Sequence, residues 1–323
     1  MSDFVGVDTA KKTFDIATPL ENGKFRTKAK LANEAAGFRE FQAWLEKHVG
    51  RDAWIVMEAT GTYHEALADF VYALGYRVCI VNPSVIHSFG KEGLRRVKTD
   101  KADAKLIASY AQEKQAKLRT WIPEPPVRRR LRALVRRLDD LQEILQMESN
   151  RLEVAQIEVR VSIQSVITHV KNEITETKKA IKKNIDDDPD LRHKCDLIVS
   201  IDGFGESTAA LILAELGDPL DYNGPRAIVA FAGLNPMIDQ SGLHVGPTPI
   251  SKTGSAFFRT KLFFPAMVAI KWNPAVKALA ERLKAKGKAP KQIICAAMRK
   301  LLHIVFGVLK SDRPFDPSIA LAR

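Results

Sequence analysis

Residues 4–11, Phe-Val-Gly-Val-Asp-Thr-Ala-Lys, set a short apolar run against an acid. Phe4 to Val7 read as a buried strand that ends at Asp8. Thr13 to Thr18 follow as a second strand. Glu21-Asn22-Gly23 supplies a turn suited to positive φ, and Lys24 to Lys30 return as a third, antiparallel strand. Asn33 then reads as the cap of a helix with Phe38, Phe41, Trp44 and Leu45 on one face. Ala53 to Met57 repeat the opening pattern, an apolar run that ends at an acid, Glu58. A helix carries Tyr63, Ala66, Leu67, Phe70 and Val71 and stops at Gly75, and Tyr76 to Val81 form the next strand. A basic loop containing Lys91, Arg95, Arg96 and Lys98 leads to Thr99, which can cap a helix starting at Asp100.

Three strands, then helix, strand, helix, strand, helix, predict an α/β domain with a mixed sheet, antiparallel first and parallel after. That order resembles an RNase H-like fold. The domain is expected over residues 1–122, ending at the stiff Trp121-Ile122-Pro123-Glu124-Pro125-Pro126 stretch. A long helical segment over 123–190 follows. Its apolar residues, Leu131, Leu134, Leu138, Leu141, Leu145 and Leu152, are spaced as a heptad seam in which Glu148 is the polar position. The pattern blurs at Ile157, Val159 and Val161 and resumes from Ile163 to Ile181. Such a seam suits an intramolecular antiparallel hairpin or a dimerising coiled coil equally. Residues 191–323 are expected to form a mostly α domain. Its Ser200-Ile201-Asp202-Gly203-Phe204-Gly205 turn resembles a helix-hairpin-helix, whose backbone N–H groups at Gly203 and Gly205 can meet a DNA phosphate. A plain helix cap fits the same residues. A glycine, proline and polar stretch from Asn235 to Gly254 precedes three short helices.

The chain of 323 residues carries a net charge of +12, which favours a polyanionic partner over a small neutral one. Basic residues cluster at Arg128, Arg129, Arg130, Arg132, Arg136 and Arg137, and again among the lysines from Lys284 to Lys291. The three cysteines, Cys79, Cys195 and Cys295, are far apart without a Cys-x-x-Cys pair, which argues against a zinc site and for buried thiols in a reducing compartment. No segment reads as a membrane span and the start has no signal-peptide pattern, so a cytoplasmic protein with no membrane partner is expected.

The acids that carry chemistry are Asp8 and Glu58, each closing an apolar strand, and Asp100 and Asp103, one helical turn apart. Four carboxylates converging on one point would repel unless a hard cation neutralised them, and Mg²⁺ or Mn²⁺ takes such oxygen ligands. A divalent pair can hold the attacking and leaving oxygens of a phosphoryl transfer.

Gly6-Val7-Asp8-Thr9-Ala10-Lys11, Glu58-Ala59-Thr60-Gly61-Thr62-Tyr63, Asn82-Pro83 and Lys98-Thr99-Asp100-Lys101-Ala102-Asp103-Ala104 together resemble the DEDD transposases of bacterial insertion sequences. Those are relatives of the Piv invertase and of bridge-RNA-guided serine recombinases. The second half agrees: Ser200 to Gly205, Phe231-Ala232-Gly233-Leu234, Gln240-Ser241-Gly242 and Ile250-Ser251-Lys252-Thr253-Gly254 resemble that family's second domain. The resemblance implies a RuvC-like first domain that binds divalent metal through Asp8, Glu58, Asp100 and Asp103. It implies a serine, Ser241 by motif, that attacks a DNA phosphate and leaves a phosphoserine link, with Ser251 the runner-up. It also implies a structured non-coding RNA that pairs with target and donor DNA. Arg259 sits where the family tends to keep a basic residue and could contact the scissile phosphate, and Lys252 is a further candidate nucleic-acid contact. Two positions depart from the pattern. Asp202 stands where proline is frequent, and Leu243-His244-Val245-Gly246 stands where arginine is frequent, leaving His244 as a candidate proton carrier. A homodimer or tetramer is expected, in which the serine of one subunit can complete the metal site of another. Two other readings use the same residues: a junction endonuclease in which water replaces Ser241, and a non-catalytic nucleic-acid-binding protein.

Overall fold

In the computed structural model, β1 (Phe4–Thr9) is the central strand of a five-stranded sheet. The structure describes residues 3–59, 61–92, 100–237, 240–241, 244–246 and 248–321. The chain divides into two units, Met1–Pro123 and Glu124–Arg323.

In the first unit β1 is followed by β2 (Thr13–Pro19), β3 (Phe25–Ala32), α1 (Ala35–His48), β4 (Trp54–Glu58), α2 (Glu65–Ala73), β5 (Arg77–Val81), α3 (Pro83–Glu92) and α4 (Asp100–Glu113). The sheet order is β3-β2-β1-β4-β5. β1 pairs antiparallel with β2 and parallel with β4, and β5 continues parallel beyond β4. The two faces follow from side-chain alternation. Val5, Val7, Ile55 and Met57 pack with Phe38, Phe41 and Trp44 of α1 and Leu67 and Val71 of α2. Phe4 and Val56 point the other way, into a cluster with Ile107, Tyr110 and Ala111 of α4.

Two local expectations need correction. Asn33 does not cap α1: the cap position is Glu34, with no side-chain hydrogen bond, and Asn33 is engaged elsewhere. The basic loop before Thr99 begins as a helix, α3, because Asn82 accepts from the Ser84 N–H at 2.9 Å and Pro83 presets the first helical φ. Lys91 lies on that helix, whereas Arg95, Arg96, Lys98 and Thr99 lie outside the described residues.

The second unit opens with α5 (Pro126–Val154) and α6 (Ile157–Asp186). They form an antiparallel hairpin about the Ala155–Gln156 turn. Leu141, Val170 and Ile174 fill its middle, and Asn184 near the end of α6 donates to the Val127 carbonyl near the start of α5 at 3.1 Å. Buried Glu148 is satisfied by Arg151 at 2.5 Å. The turn explains the blurred register: Val154, Ile157 and Val161 sit around it and are exposed.

There follow α7 (Pro189–Val199), α8 (Glu206–Leu216), α9 (Pro225–Phe231), a hairpin of β6 (Gln240–Ser241) with β7 (His244–Val245), α10 (Ala256–Lys261), α11 (Phe263–Trp272), α12 (Pro274–Ala285), α13 (Pro290–Ser311) and α14 (Pro317–Leu321). The chain therefore does not finish in three short helices, since α13 alone has 22 residues. By length and composition α13 is also apolar enough to cross a membrane, which corrects the reading that no segment is. Its apolar side chains Leu301, Leu302, Ile304, Val305 and Val308 lie in the core of this unit, where such a helix is accounted for by packing.

Candidate active site

Asp8 and Glu58 occupy equivalent places on neighbouring strands. The parallel register between β1 and β4 runs from Phe4↔Trp54 to Val7↔Met57, so one further step sets Asp8 beside Glu58. Strands lie about 4.8 Å apart. Both acids share the face of Phe4, Gly6, Trp54 and Val56, the face covered by α4. Gly6 is what lets α4 lie so close: a Cβ there would sit 2.3 Å from the Ala104 oxygen and 2.3 Å from the Ala108 nitrogen. Along β1, Phe4 clusters with Ile107, Tyr110 and Ala111, and Gly6 meets Ala104 and Ala108. Moving two residues on to Asp8 moves back along α4 towards Asp103 and Asp100. The helix start and the two strand ends therefore converge on one edge of the sheet.

The set is built wholly of carboxylate oxygens, the donors that suit Mg²⁺ or Mn²⁺. Among the described residues no three acidic, imidazole or thiol side chains gather closely enough to enclose an ion. The Asp100 side chain is outside that description, and Mg²⁺ keeps several of its waters rather than needing a closed cage. The donor set fits a hard, partly hydrated cation.

Three residues that build this edge escaped sequence reading. Asn33 Nδ2 donates to the Ala10 carbonyl at 3.0 Å and to the Tyr63 carbonyl at 2.9 Å. It thereby ties the segment after Asp8 to the segment after Glu58. Gly6 stands within a motif, but the packing that requires glycine there depends on where α4 crosses β1. Asp15 is the Cα partner of Asp8 across the β1–β2 hairpin, is buried, and accepts the Lys30 backbone N–H at 2.6 Å. It adds a fifth acidic residue to Asp8, Glu58, Asp100 and Asp103. The hairpin register was the signal that could have found it, because like charges opposed across strands are unfavourable without another reason to be there.

Ser241 belongs to the second unit. It closes β6, and its Cα partner in β7 is His244. The hairpin rises from a base made by two of the quoted motifs. Pro236 bridges Ile250, Met237 N–H donates to the Pro249 carbonyl at 2.7 Å, and Ser251 N–H donates to the Asn235 carbonyl at 2.7 Å. Below these, Gly254 and Gly233 pass backbone against backbone. A Cβ on Gly254 would lie 2.3 Å from the Phe231 oxygen and 2.8 Å from the Gly233 nitrogen, and its φ is +143°. Only glycine meets both conditions. Ser251 joins this base through its backbone N–H.

The basic residues divide by partner. Arg128 reaches Asp218 at 3.3 Å, Arg132 reaches Glu124 at 3.0 Å and Arg136 reaches Glu215 at 2.6 Å. Burial pushes the Glu215 carboxyl above its usual range against the pull of Arg136. Arg129 is half-buried and also has an interaction. Arg259 donates to the Ala232 carbonyl at 2.9 Å, bracing the Gly233 turn and engaging one of its five N–H donors. Lys252 is exposed with φ +55°, at the crest of the same base. Gly203 has φ +99°, and a Cβ there would meet Ala269 of α11 at 2.9 Å. Gly205 is the cap position of α8, and the exposed Asp202 contributes its carbonyl to Asn273 Nδ2 at 3.3 Å. Burial raises the Cys79, Cys195 and Cys295 thiols, Cys195 to about 11, as expected of inert thiols.

The comparisons with known proteins cover both units. Residues 5–155 match a family described as "Transposase", the IS110-type DEDD group, and residues 195–281 match "Transposase IS116/IS110/IS902 family". A pilin gene-inverting protein of Moraxella bovis is 34% identical over 320 residues, 98% of this chain and 98% of that protein. Its counterpart in Moraxella lacunata is 33% identical over the same share. An uncharacterized 43.6 kDa protein of insertion element IS110 from Streptomyces coelicolor is 24% identical over 120 residues, 37% of this chain and 30% of that protein.

Proposed function

Since the chain belongs to the IS110-type DEDD transposase family, and is on that ground a DNA recombinase, we propose that it cuts and rejoins DNA through a serine, assisted by a divalent metal. The observation that carries the metal half is the placement of Asp8 and Glu58 side by side under the start of α4. We read the first unit, with its order β3-β2-β1-β4-β5, as RuvC-like. Asp8, Glu58, Asp100 and Asp103 would hold Mg²⁺ or Mn²⁺, which when bound screens phosphate charge and favours an oxygen nucleophile. Asn33 and Gly6 keep the two strand ends and α4 in register for that task.

In the serine half, Ser241 Oγ forms a bond to a DNA phosphorus while the bond from that phosphorus to the departing strand breaks. The serine proton ends on the departing strand's hydroxyl. The phosphodiester energy is kept in the Ser241–phosphate link, so the reverse reaction with another strand end rejoins DNA without ATP. The backbone packing of Gly233 against Gly254 supports this reading: it gives the segments on either side of the β6–β7 hairpin a fixed base.

Sequence choice would come from a structured RNA that pairs with target and donor, the protein binding its shape and backbone. The net charge of +12 supports a polyanion of this kind. A homodimer or tetramer bringing several such active sites together is part of the same reading, with the α5–α6 hairpin as the coiled-coil element.

The test is strand cutting of DNA carrying the element's ends, in Mg²⁺, by the wild type and by Asp8→Asn. The substitution keeps the shape and removes the charge. A loss of about a thousandfold is expected, the several kcal/mol a Lewis acid supplies at 1.36 kcal/mol per tenfold. Full activity in Asp8→Asn would remove the metal site from the mechanism. RNA that co-purifies with the wild type should sequence as one discrete species; a random transcript pool would contradict guidance.

A further inference from the structure

Helix α11 carries an apolar face that the second unit leaves uncovered. Phe264 and Trp272 are each 72% exposed, and Met267 and Val268 lie between them at 41% and 44%. At 100° per residue these four and the exposed Lys271 fall within about 140° of arc, a single stripe. The opposite side of α11 is the packed one, through Ala266 and Ala269. Phe263 braces Phe264 edge-to-face at 5.8 Å. Exposed aromatics in such number on ten residues call for an occupant.

The charge around the stripe selects the occupant. Residues 256–291 hold nine lysines and arginines against one acid, Glu281. Lys271 sits within the stripe itself, and Lys277, Arg282 and Lys284 are exposed on α12, the next helix in the chain, which packs against α11. A second copy of the same face would bring these like charges together, which disfavours self-pairing. A polyanion that also presents flat apolar faces matches both features, and a nucleic-acid strand with unpaired bases is such a ligand. A paired duplex has its base faces hidden and could use only the charge.

We propose that the exposed face of α11 is a stacking platform for unpaired DNA bases, with Phe264 and Trp272 as the stacking rings and Lys271 on the phosphate. The proposal rests on the reading that the chain recombines DNA, because strand exchange must pass through unpaired strands. The rings lie about 12 Å apart along the helix, so they engage separate bases.

Binding of a labelled oligothymidine by the full-length protein tests this, beside a duplex of equal length and an oligouridine. Trp272→Ala and Phe264→Ala should each weaken oligothymidine binding about tenfold, leave duplex binding unchanged and leave the salt slope unchanged. Trp272→Phe should keep most of the affinity, and Lys271→Ala should lower the salt slope by about one. All three residues are exposed, so unchanged thermal melting confirms intact folding. Equal losses on duplex and single strand, no loss on either, or a loss confined to oligouridine would overturn the platform. A change in sedimentation of Trp272→Ala would instead assign the stripe to self-association and overturn it too. A wild type that binds neither DNA form would overturn the recombinase reading as well, an outcome distinct from normal binding that the substitutions fail to change.

Discussion

The carboxylate edge of the first unit and the serine hairpin of the second are held by opposite means. Asp8 lies one residue before the end of β1 and Glu58 ends β4, strands otherwise almost wholly buried, and Asp103 lies one residue before Ala104, which is fully buried against β1. Ser241 ends a strand of two residues, paired with another of two, on a base fixed by glycine backbones and a handful of main-chain hydrogen bonds. One site is part of the fold's core; the other is set on top of a core. Metal ligands need fixed separations, since a cation tolerates little error in oxygen position. A nucleophile that must reach a phosphate in more than one strand arrangement is better carried on a small element.

Substitution of the glycines under each site should expose this difference. Gly6→Ala should damage metal binding as well as stability, because the atoms in its way are the backbone of α4 at 2.3 Å, the helix that carries Asp103. The helix must lift, costing about 1–3 kcal/mol of stability and, by misplacing carboxylates, about a hundredfold in strand cutting. Melting and Mn²⁺ affinity should both fall. Gly254→Ala meets the Phe231 backbone just as closely and adds a strained φ, again about 1–3 kcal/mol. Here Mn²⁺ affinity should stay at the wild-type value while strand cutting falls. A Gly254→Ala protein that loses metal would break the division of labour between the units. Asn33→Ala removes two hydrogen bonds between the segments after Asp8 and Glu58 and should give the smallest effect, about 1 kcal/mol per bond in melting, with a modest drop in Mn²⁺ affinity. Normal stability with normal metal binding would show that the strands alone fix the two acids.

The same contrast governs what could be read from sequence. The sheet was legible because apolar runs ending at Asp8 and Glu58 repeat one pattern, and the Asn22-Gly23 turn fixes the hairpin, with Gly23 at φ 73°. Asn33 misled because a helix cap and a loop tie use the same side chain, and only the fold tells which carbonyls come near. Asp15 stayed hidden because its meaning depends on register, which one residue of slip reverses. The heptad pattern left an intramolecular hairpin and a dimerising seam both open, and the Ala155–Gln156 break between α5 and α6 shows the hairpin. α13 shows the reverse case: its composition is that of a membrane span, and burial of Leu301, Val305 and their neighbours explains it by packing instead. Ser241 is singled out by motif alone. Nothing in periodicity or charge marks a serine in a glycine-rich loop, and the Gly233–Gly254 contact that gives it a base joins residues far apart in the chain.

The most direct test of the account is the covalent link itself. DNA carrying the element's ends is incubated with protein and Mg²⁺, denatured, and assayed for DNA that migrates with protein. The wild type and Ser251→Ala should both give a phosphoserine-linked adduct, and Ser241→Ala should give none and leave the DNA uncut. Cut DNA with free phosphate ends from Ser241→Ala would show that water is the nucleophile, and the serine mechanism would fall while the carboxylate edge remained.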